Sequence, residues 1–373
     1  MPGMYKSLLQ KAALILLSVL LSLLLAEFVL RRFLPPDENY YVWQPNLHKV
    51  FHPDSSVFYG IKGPSQFTIN ELGYRGPIVQ PYKPNYMCLG GSTTECLYLD
   101  NTETWPYLLG KYTGLNVGSI GKSGCTTREH YLHMKYYVSQ LKHVKGVIIM
   151  VGLNDLMKRL SRDTLFENDF RFNAAAEDSM VKNIFLTHQN RVWWQRTGLY
   201  RLYQRIKQAN NKSVQWKIQD DNGTIFTTWR AYRKQATSLR DTLPDLTQAL
   251  NEYTRNLELI YLQAQQQQLQ LILVNQAALY QQHMLPYYEH LLWMGGIGNF
   301  QQQAGHAYYS SAALQQGLAQ YNQRLQQFCE GRAGVKYIDL ASALPSDTSV
   351  FYDDCHFNEQ GAQRVAQIVS KHL

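Results

Sequence analysis

Ser92 stands in the segment Gly90-Gly91-Ser92-Thr93-Thr94-Glu95, directly after the apolar run Tyr86-Met87-Cys88-Leu89. Far along the chain, Asp353 and His356 lie three positions apart in Asp353-Asp354-Cys355-His356-Phe357-Asn358. A hydroxyl, an imidazole and a carboxylate are the parts of an acyl-transferring site. The imidazole takes the hydroxyl proton as the oxygen attacks, and the carboxylate orients the ring. An Asp-x-x-His turn lets the carboxylate reach its own histidine without a separate loop. Asp354 competes for that place, and the three-residue spacing favours Asp353. Ser92 also has an ordinary reading, because Ser92-Thr93-Thr94-Glu95 fits the capping box in which a serine binds the free N–H groups of a helix start. Gly90 and Gly91 weigh the other way. They permit a tight turn that leaves the hydroxyl open at a helix N-terminus, where the dipole favours developing negative charge.

The elements that would hold these groups are readable from periodicity. Short apolar runs at Tyr86 to Leu89, Leu115 to Val117, Gly146 to Val151, Leu269 to Val274 and Val335 to Ile338 predict buried strands. Helical spacing links Leu246, Leu250, Tyr253, Leu257, Ile260 and Tyr261, then Leu314, Leu318, Tyr321, Leu325 and Phe328, and finally Ala362, Val365, Ala366, Val369 and Leu373. Strands alternating with helices predict an α/β fold with a mainly parallel sheet covered on both faces, whose ligands bind at the carboxyl ends of the strands. Ser92, Gly118 to Gly124, Gly152 to Asp155 and Asp353 to His356 all fall beyond such ends. The stretch from about 157 to 240 interrupts the alternation and reads as an inserted cap or side lobe. Within it, Val214 to Gln219 and Thr224 to Trp229 flank Asp221-Asn222-Gly223, which predicts a hairpin with a type I′ turn.

Four segments, GGSTTE, NVGSIGKSG (Asn116 to Gly124), VGLNDL (Val151 to Leu156) and DDCHFNEQG (Asp353 to Gly361), resemble in order the four blocks of the SGNH (GDSL-like) hydrolase superfamily. The resemblance runs from near Gly73 to the C-terminus and leaves the insertion unmatched. It implies a three-layer, flavodoxin-like parallel sheet. It also implies Ser92 as nucleophile, His356 as general base and Asp353 as its carboxylate. The oxyanion donors would be the N–H of Gly121, the side-chain amide of Asn154 and the N–H of Ser92 itself. Gly118 and Gly124 compete with Gly121, which fits best five residues after Asn116. Gly91 departs from the family's commonest form, which has Asp there. The other ten histidines carry no ligand spacing, and His130 and His133 read as solvated or core-edge residues of a helix.

Outside this set, composition bounds the rest. The chain has 373 residues, 45% of them hydrophobic and 17% charged, with a net charge of +8. That is a globular composition, not a disordered one. Ala12 to Leu30 is dominated by Leu and Ile, carries a charge only at Glu27, and spans about 28 Å as a helix, close to the hydrocarbon thickness. It is longer than a signal peptide's apolar core and reads as an uncleaved anchor. The expected domains are therefore residues 1–34 as membrane anchor, 35–84 as linker and lead-in, and 85–373 as the hydrolase domain. Lys6 and Lys11 nearly balance Arg31 and Arg32. With the N-terminus taken as inside, the protein is single-pass with its bulk extracytoplasmic, in a periplasm or at a cell surface. Tyr40, Tyr41 and Trp43 are expected at the interface as an aromatic belt. Five cysteines without metal spacing read as buried free thiols. No metal, nucleotide or other cofactor motif is present, and the oligomeric state stays open.

The expected function is that of a membrane-anchored serine esterase or acylhydrolase acting on an O-acyl ester of an envelope glycan or a lipid. The basic, aromatic stretch from His188 to Arg240 suits an acidic glycan, anionic lipid headgroups or nucleic acid, and its ordinary reading is a solvated basic face over packed aromatics. The substrate reading takes the acidic glycan, and no nucleic-acid partner is expected. An O-acyltransferase using the same triad is one alternative, and a non-catalytic glycan-binding or scaffold protein is another.

Overall fold

The computed structural model describes residues 2–33, 40–83, 85–162, 174–186, 194, 197–210, 214–215 and 222–373. The chain divides into two compact units, one of residues 1–40 with 187–213 and one of 41–186 with 214–373.

In the smaller unit, a single helix runs over Pro2–Phe33. Its Gln10–Phe33 portion has a mean hydropathy of 2.7 and is the one stretch among the described residues long and apolar enough to cross a membrane. Its leucines, from Leu14 to Leu25, are largely exposed, as they must be if lipid rather than protein is to cover them. A second helix of this unit runs over Gly198–Asn210.

Among the described residues, the larger unit has ten strands: β1 (Leu47–Phe51), β2 (Ser65–Thr68), β3 (Asn85–Leu89), β4 (Asn116–Ser119), β5 (Val144–Met150), β6 (Val214–Gln215), β7 (Leu239–Arg240), β8 (Gln270–Val274), β9 (Tyr308–Tyr309) and β10 (Val335–Ile338). Five of them form the main sheet in the order β10-β8-β5-β3-β4, and every neighbouring pair is parallel. Numbered along the chain from the β4 edge this is 2-1-3-4-5, the flavodoxin-like order, whose switch point lies between β3 and β5. The α/β, parallel, flavodoxin-like expectation therefore holds, and each of the five apolar runs becomes one of these strands. Val147, Ile148 and Ile149 of β5 are fully buried, as are Leu271 to Val274 of β8. Each such aliphatic side chain contributes about 1.5–3 kcal/mol, so the strands hold the sheet by burial on both faces. The three periodic segments become the helices Thr247–Gln266, Ser311–Cys329 and Glu359–Ser370, with Leu250, Tyr253, Leu257 and Ile260 inward on the first.

Two small sheets flank this core: β1 antiparallel to β2 and parallel to β6, and β7 parallel to β9.

Three expectations fail here. The predicted hairpin at Asn222-Gly223 is absent: β6 pairs with β1, Thr224–Lys234 is helical, and residues 216–221 lie outside the described set. Positive φ at Gly223 (90°) serves a helix start instead of a type I′ turn, and Asn222 Oδ1 accepts from the Thr224 N–H and hydroxyl. The helix wins because Phe226, Arg230 and Arg233 recur at helical spacing on one buried face.

Trp43 belongs to no membrane belt. It is 6% exposed, lies edge-on to Phe67 at 5.2 Å and donates its indole N–H to the Gly121 carbonyl at 3.0 Å. His130 and His133 are buried, not solvated. Burial pushes His130 down to about 3 and holds His133 well below its ordinary value, so both are neutral members of the core. The five cysteines, by contrast, are the buried free thiols that were expected.

Candidate active site

The carboxyl end of β3 leads through Gly90 and Gly91 into the one-turn helix Ser92–Glu95. A Cβ on Gly90 would fall 2.1 Å from the Thr94 hydroxyl, and one on Gly91 would fall 2.2 Å from Asn154 Nδ2. A side chain at position 91 would therefore require the Asn154 amide to move. No capping box forms: the helix has no side-chain cap, and Glu95 turns away to accept from the N–H and hydroxyl of Ser123. Burial raises the Glu95 pKa above its ordinary value against the pull of those bonds.

Freed from capping, Ser92 faces His356. Its Oγ lies 2.7 Å from His356 Nε2, and on the far side of the ring Nδ1 lies 2.7 Å from Asp353 Oδ2. The turn that carries both acid and base is closed by the antiparallel bridge Phe351↔Phe357. Asp353 Oδ1 accepts from the N–H groups of Cys355 and His356, at 3.0 and 2.8 Å, and Oδ2 also accepts from the Trp293 indole N–H at 2.9 Å. A carboxylate so held keeps its charge. Burial alone would raise its pKa, but the charge of His356 and these hydrogen bonds leave it lowered. For His356 burial works downward, and the Asp353 charge and hydrogen bond outweigh it, so its pKa is raised. With Nδ1–H directed at the carboxylate, Nε2 is left as the acceptor for the serine proton. The ring itself lies nearly parallel to Tyr352 (11°, 5.5 Å) and Trp293 (5°, 6.4 Å).

Asp354, the rival, points elsewhere. Its Oδ2 accepts from the Trp293 N–H, and its Oδ1 accepts from the Met294 N–H and the Tyr280 hydroxyl. Burial, with the charge of Asp353 beside it, pushes it up to about 6.

The end of β5 delivers Asn154 on the helix Leu153–Leu160. One hydrogen of its amide goes to the Cys125 carbonyl at 2.8 Å, which leaves the second to point along the wall beside Gly91 and Ser92. Gly121 is not brought to this wall. Its N–H is spent on the Ser119 hydroxyl at 3.3 Å, and its Cα packs against the backbone of Thr94 and Glu95. Gly124, with φ of +77° and open space around it, is the one of the three candidate glycines that lines the cavity. Spacing from Asn116 could not have shown this, because it fixes no N–H direction.

These groups open into a cavity of about 630 Å³ lined by Ser92, Gly124, Asn154 and His356 on one side and by Phe226, Trp229, Trp293, Phe300 and Tyr352 on the other. Trp229 and Trp293 lie 4.5 Å apart between centroids. The aromatic side comes from the helix Thr224–Lys234, the loop after β8 and, for Tyr352, the turn that carries Asp353 and His356. Arg230 fastens the helix by donating to the carbonyls of Val57, Leu291 and Tyr352, and Arg233 by donating to those of Met294 and Tyr309. Sequence reasoning missed both arginines and Trp293. The first two were visible as an i, i+3 pair on the face of Phe226, and Trp293 carried no local signal.

A metal would have one candidate set among the described residues, Asp353, Cys355 and His356, whose donor atoms lie within 4.8 Å of one another. The set does not fit an ion. Each carboxylate oxygen and each ring nitrogen is already hydrogen-bonded, and burial raises the Cys355 thiol far above the range in which it would be a thiolate.

No protein-family model and no curated protein matches the chain. Solved structures similar to it include a lipolytic protein of the G-D-S-L family from Desulfitobacterium hafniense DCB-2 (11% identity, 78% of this chain and 99% of that one, TM-score 0.41). Others are an acetylxylan esterase from Geobacillus stearothermophilus (12%, 79% and 95%, 0.39) and a G-D-S-L family lipolytic protein from Veillonella parvula DSM 2008 (12%, 77% and 96%, 0.35).

Proposed function

We propose that this protein is a serine esterase or acylhydrolase of the SGNH type, tethered to a membrane by its N-terminal helix, with the larger unit on the extracytoplasmic side. The observation that carries the chemistry is His356 bridging Ser92 Oγ and Asp353 Oδ2 at 2.7 Å on each side. In the reaction Ser92 Oγ attacks the ester carbonyl while its proton passes to His356 Nε2. The tetrahedral oxyanion is met by the N–H groups of Ser92 and Gly124 and by the free amide hydrogen of Asn154. Collapse breaks the ester C–O bond, and the alcohol leaves with the proton from His356. Water then repeats the sequence on the acyl-enzyme, returning Ser92 and releasing the acid.

The aromatic wall favours a sugar ester as substrate, because indole and phenol rings pack on the apolar faces of pyranose rings while Ser92 addresses the O-acyl group. Labelling of the detergent-solubilised chain with a fluorophosphonate tests the nucleophile. Wild type should label and Ser92→Ala should not; equal labelling of the two sinks the assignment.

A further inference from the structure

Within the smaller unit, the helix Gly198–Asn210 begins against the end of the long apolar helix. Glu27 Oε1 accepts from the Gly198 N–H at 2.9 Å and Oε2 from the Leu199 N–H at 3.0 Å, while Arg31 pairs with the same carboxylate at 2.7 Å. Glu27 thereby caps the second helix from the first, where the dipole favours a negative charge. A Cβ on Gly198 would meet Leu30 Cβ at 2.7 Å, so the two helices touch at that point. Along the second helix, Leu199, Leu202, Tyr203 and Ile206 recur at i, i+3, i+4 and i+7, and all four are exposed, the last two by 56% and 55%. Arg201 lies on the opposite face and is buried. Arg201 is turned inward and the apolar stripe outward, the reverse of a helix that meets water.

We infer that Gly198–Asn210 is a second membrane contact, an amphipathic helix lying in the lipid interface beside the C-terminal end of the span. The inference rests on the anchor reading of the N-terminal helix. Lipid is the occupant because the stripe is continuous with a surface that lipid must already cover. Gln10–Phe33 has 24 residues, about 36 Å of helix against about 30 Å of hydrocarbon, which puts Arg31 at the headgroup boundary and Glu27 within about one turn below it. Trp194, exposed and edge-on to Tyr200 at 5.2 Å, and Tyr203 are the aromatic types that gather at that depth. Glu27, otherwise costly in an apolar span, is neutralised by Arg31 and by two backbone donors that only this helix supplies.

The test uses the full chain in phospholipid nanodiscs, with an environment-sensitive bimane on Ile206→Cys, on Leu20→Cys and on the exposed control Gln265→Cys. The five native thiols are buried and should not label. Expected is loss of about half the Ile206 emission to a quencher near the headgroups, of the Leu20 emission to a quencher deep in the acyl chains, and of neither for Gln265. Quenching at Leu20 without quenching at Ile206 overturns the inference and leaves the anchor standing. Quenching at neither site overturns both. An Ile206 label shielded from water and lipid alike, to a degree that rises with copies per nanodisc, assigns the stripe to a second chain and overturns the lipid assignment.

Discussion

The two sides of the cavity are built by different means. On the reactive side, Ser92, Gly124, Asn154 and His356 each sit within a few residues of a strand end or a bridged turn, and backbone geometry sets their positions. On the aromatic side, Phe226, Trp229 and Trp293 come from long connections and are held at a distance by Arg230 and Arg233, whose guanidinium groups reach five backbone carbonyls. The first arrangement can shift little without moving the sheet. The second hangs on side-chain bonds to distant carbonyls, so that under the proposed function reaction type and substrate choice would be set largely by different parts of the chain.

Substitution on the reactive side should give the largest losses. Ser92→Ala is expected to lower kcat for an aryl acetate by at least about 10⁴-fold, with the thermal midpoint nearly unchanged because the hydroxyl supports no cap. A residual rate within tenfold of wild type would remove the serine from the reaction. Asn154→Ala should cost about 10²–10³-fold, and the loss should fall on kcat rather than KM, since the amide gains its acceptor only as the oxyanion forms. A pure KM effect would reassign Asn154 to ground-state binding.

How the two sides appear in the sequence follows from the same contrast. Ser92, Asn154, Asp353 and His356 were legible because short loops at strand ends keep spacing and position together. The oxyanion glycine was not settled by sequence, because a spacing of five from Asn116 says nothing about which way an N–H points; Gly121 directs its own at Ser119. Asn222-Gly223 misled because positive φ at Gly223 suits a hairpin and a helix start equally, and only the burial of Phe226, Arg230 and Arg233 decides between them. Trp293 was beyond reach, since its two bonds, from the indole to Asp353 and from the backbone to Asp354, cross 60 residues or more of sequence.

On the aromatic side, effects should be smaller and of a different kind. Trp229→Ala removes the face that stacks on Trp293 without touching His356, and is expected to raise KM for an acylated sugar about five- to tenfold while leaving kcat for an aryl acetate within about twofold. Equal losses with both substrates would show that the two sides are not separable.

The smallest expected effect probes a residue that joins them by a hydrogen bond. Trp293 belongs to the aromatic wall, yet its indole N–H donates to the same Asp353 oxygen that holds His356. Its effect should show in the pH profile. His356 must be neutral to accept the serine proton, and its pKa is raised, so kcat/KM should climb with pH through an acid limb lying above the ordinary imidazole value of 6.5. Trp293→Phe keeps a ring beside His356 and deletes the donor. Asp353 then has one bond fewer to spread its charge, imidazolium gains from the more basic carboxylate, and the limb should move to higher pH by less than about one unit. A shift to lower pH would mean that the dominant role of Trp293 is to shield the dyad from water, and that the aromatic wall reaches into the chemistry it was contrasted with.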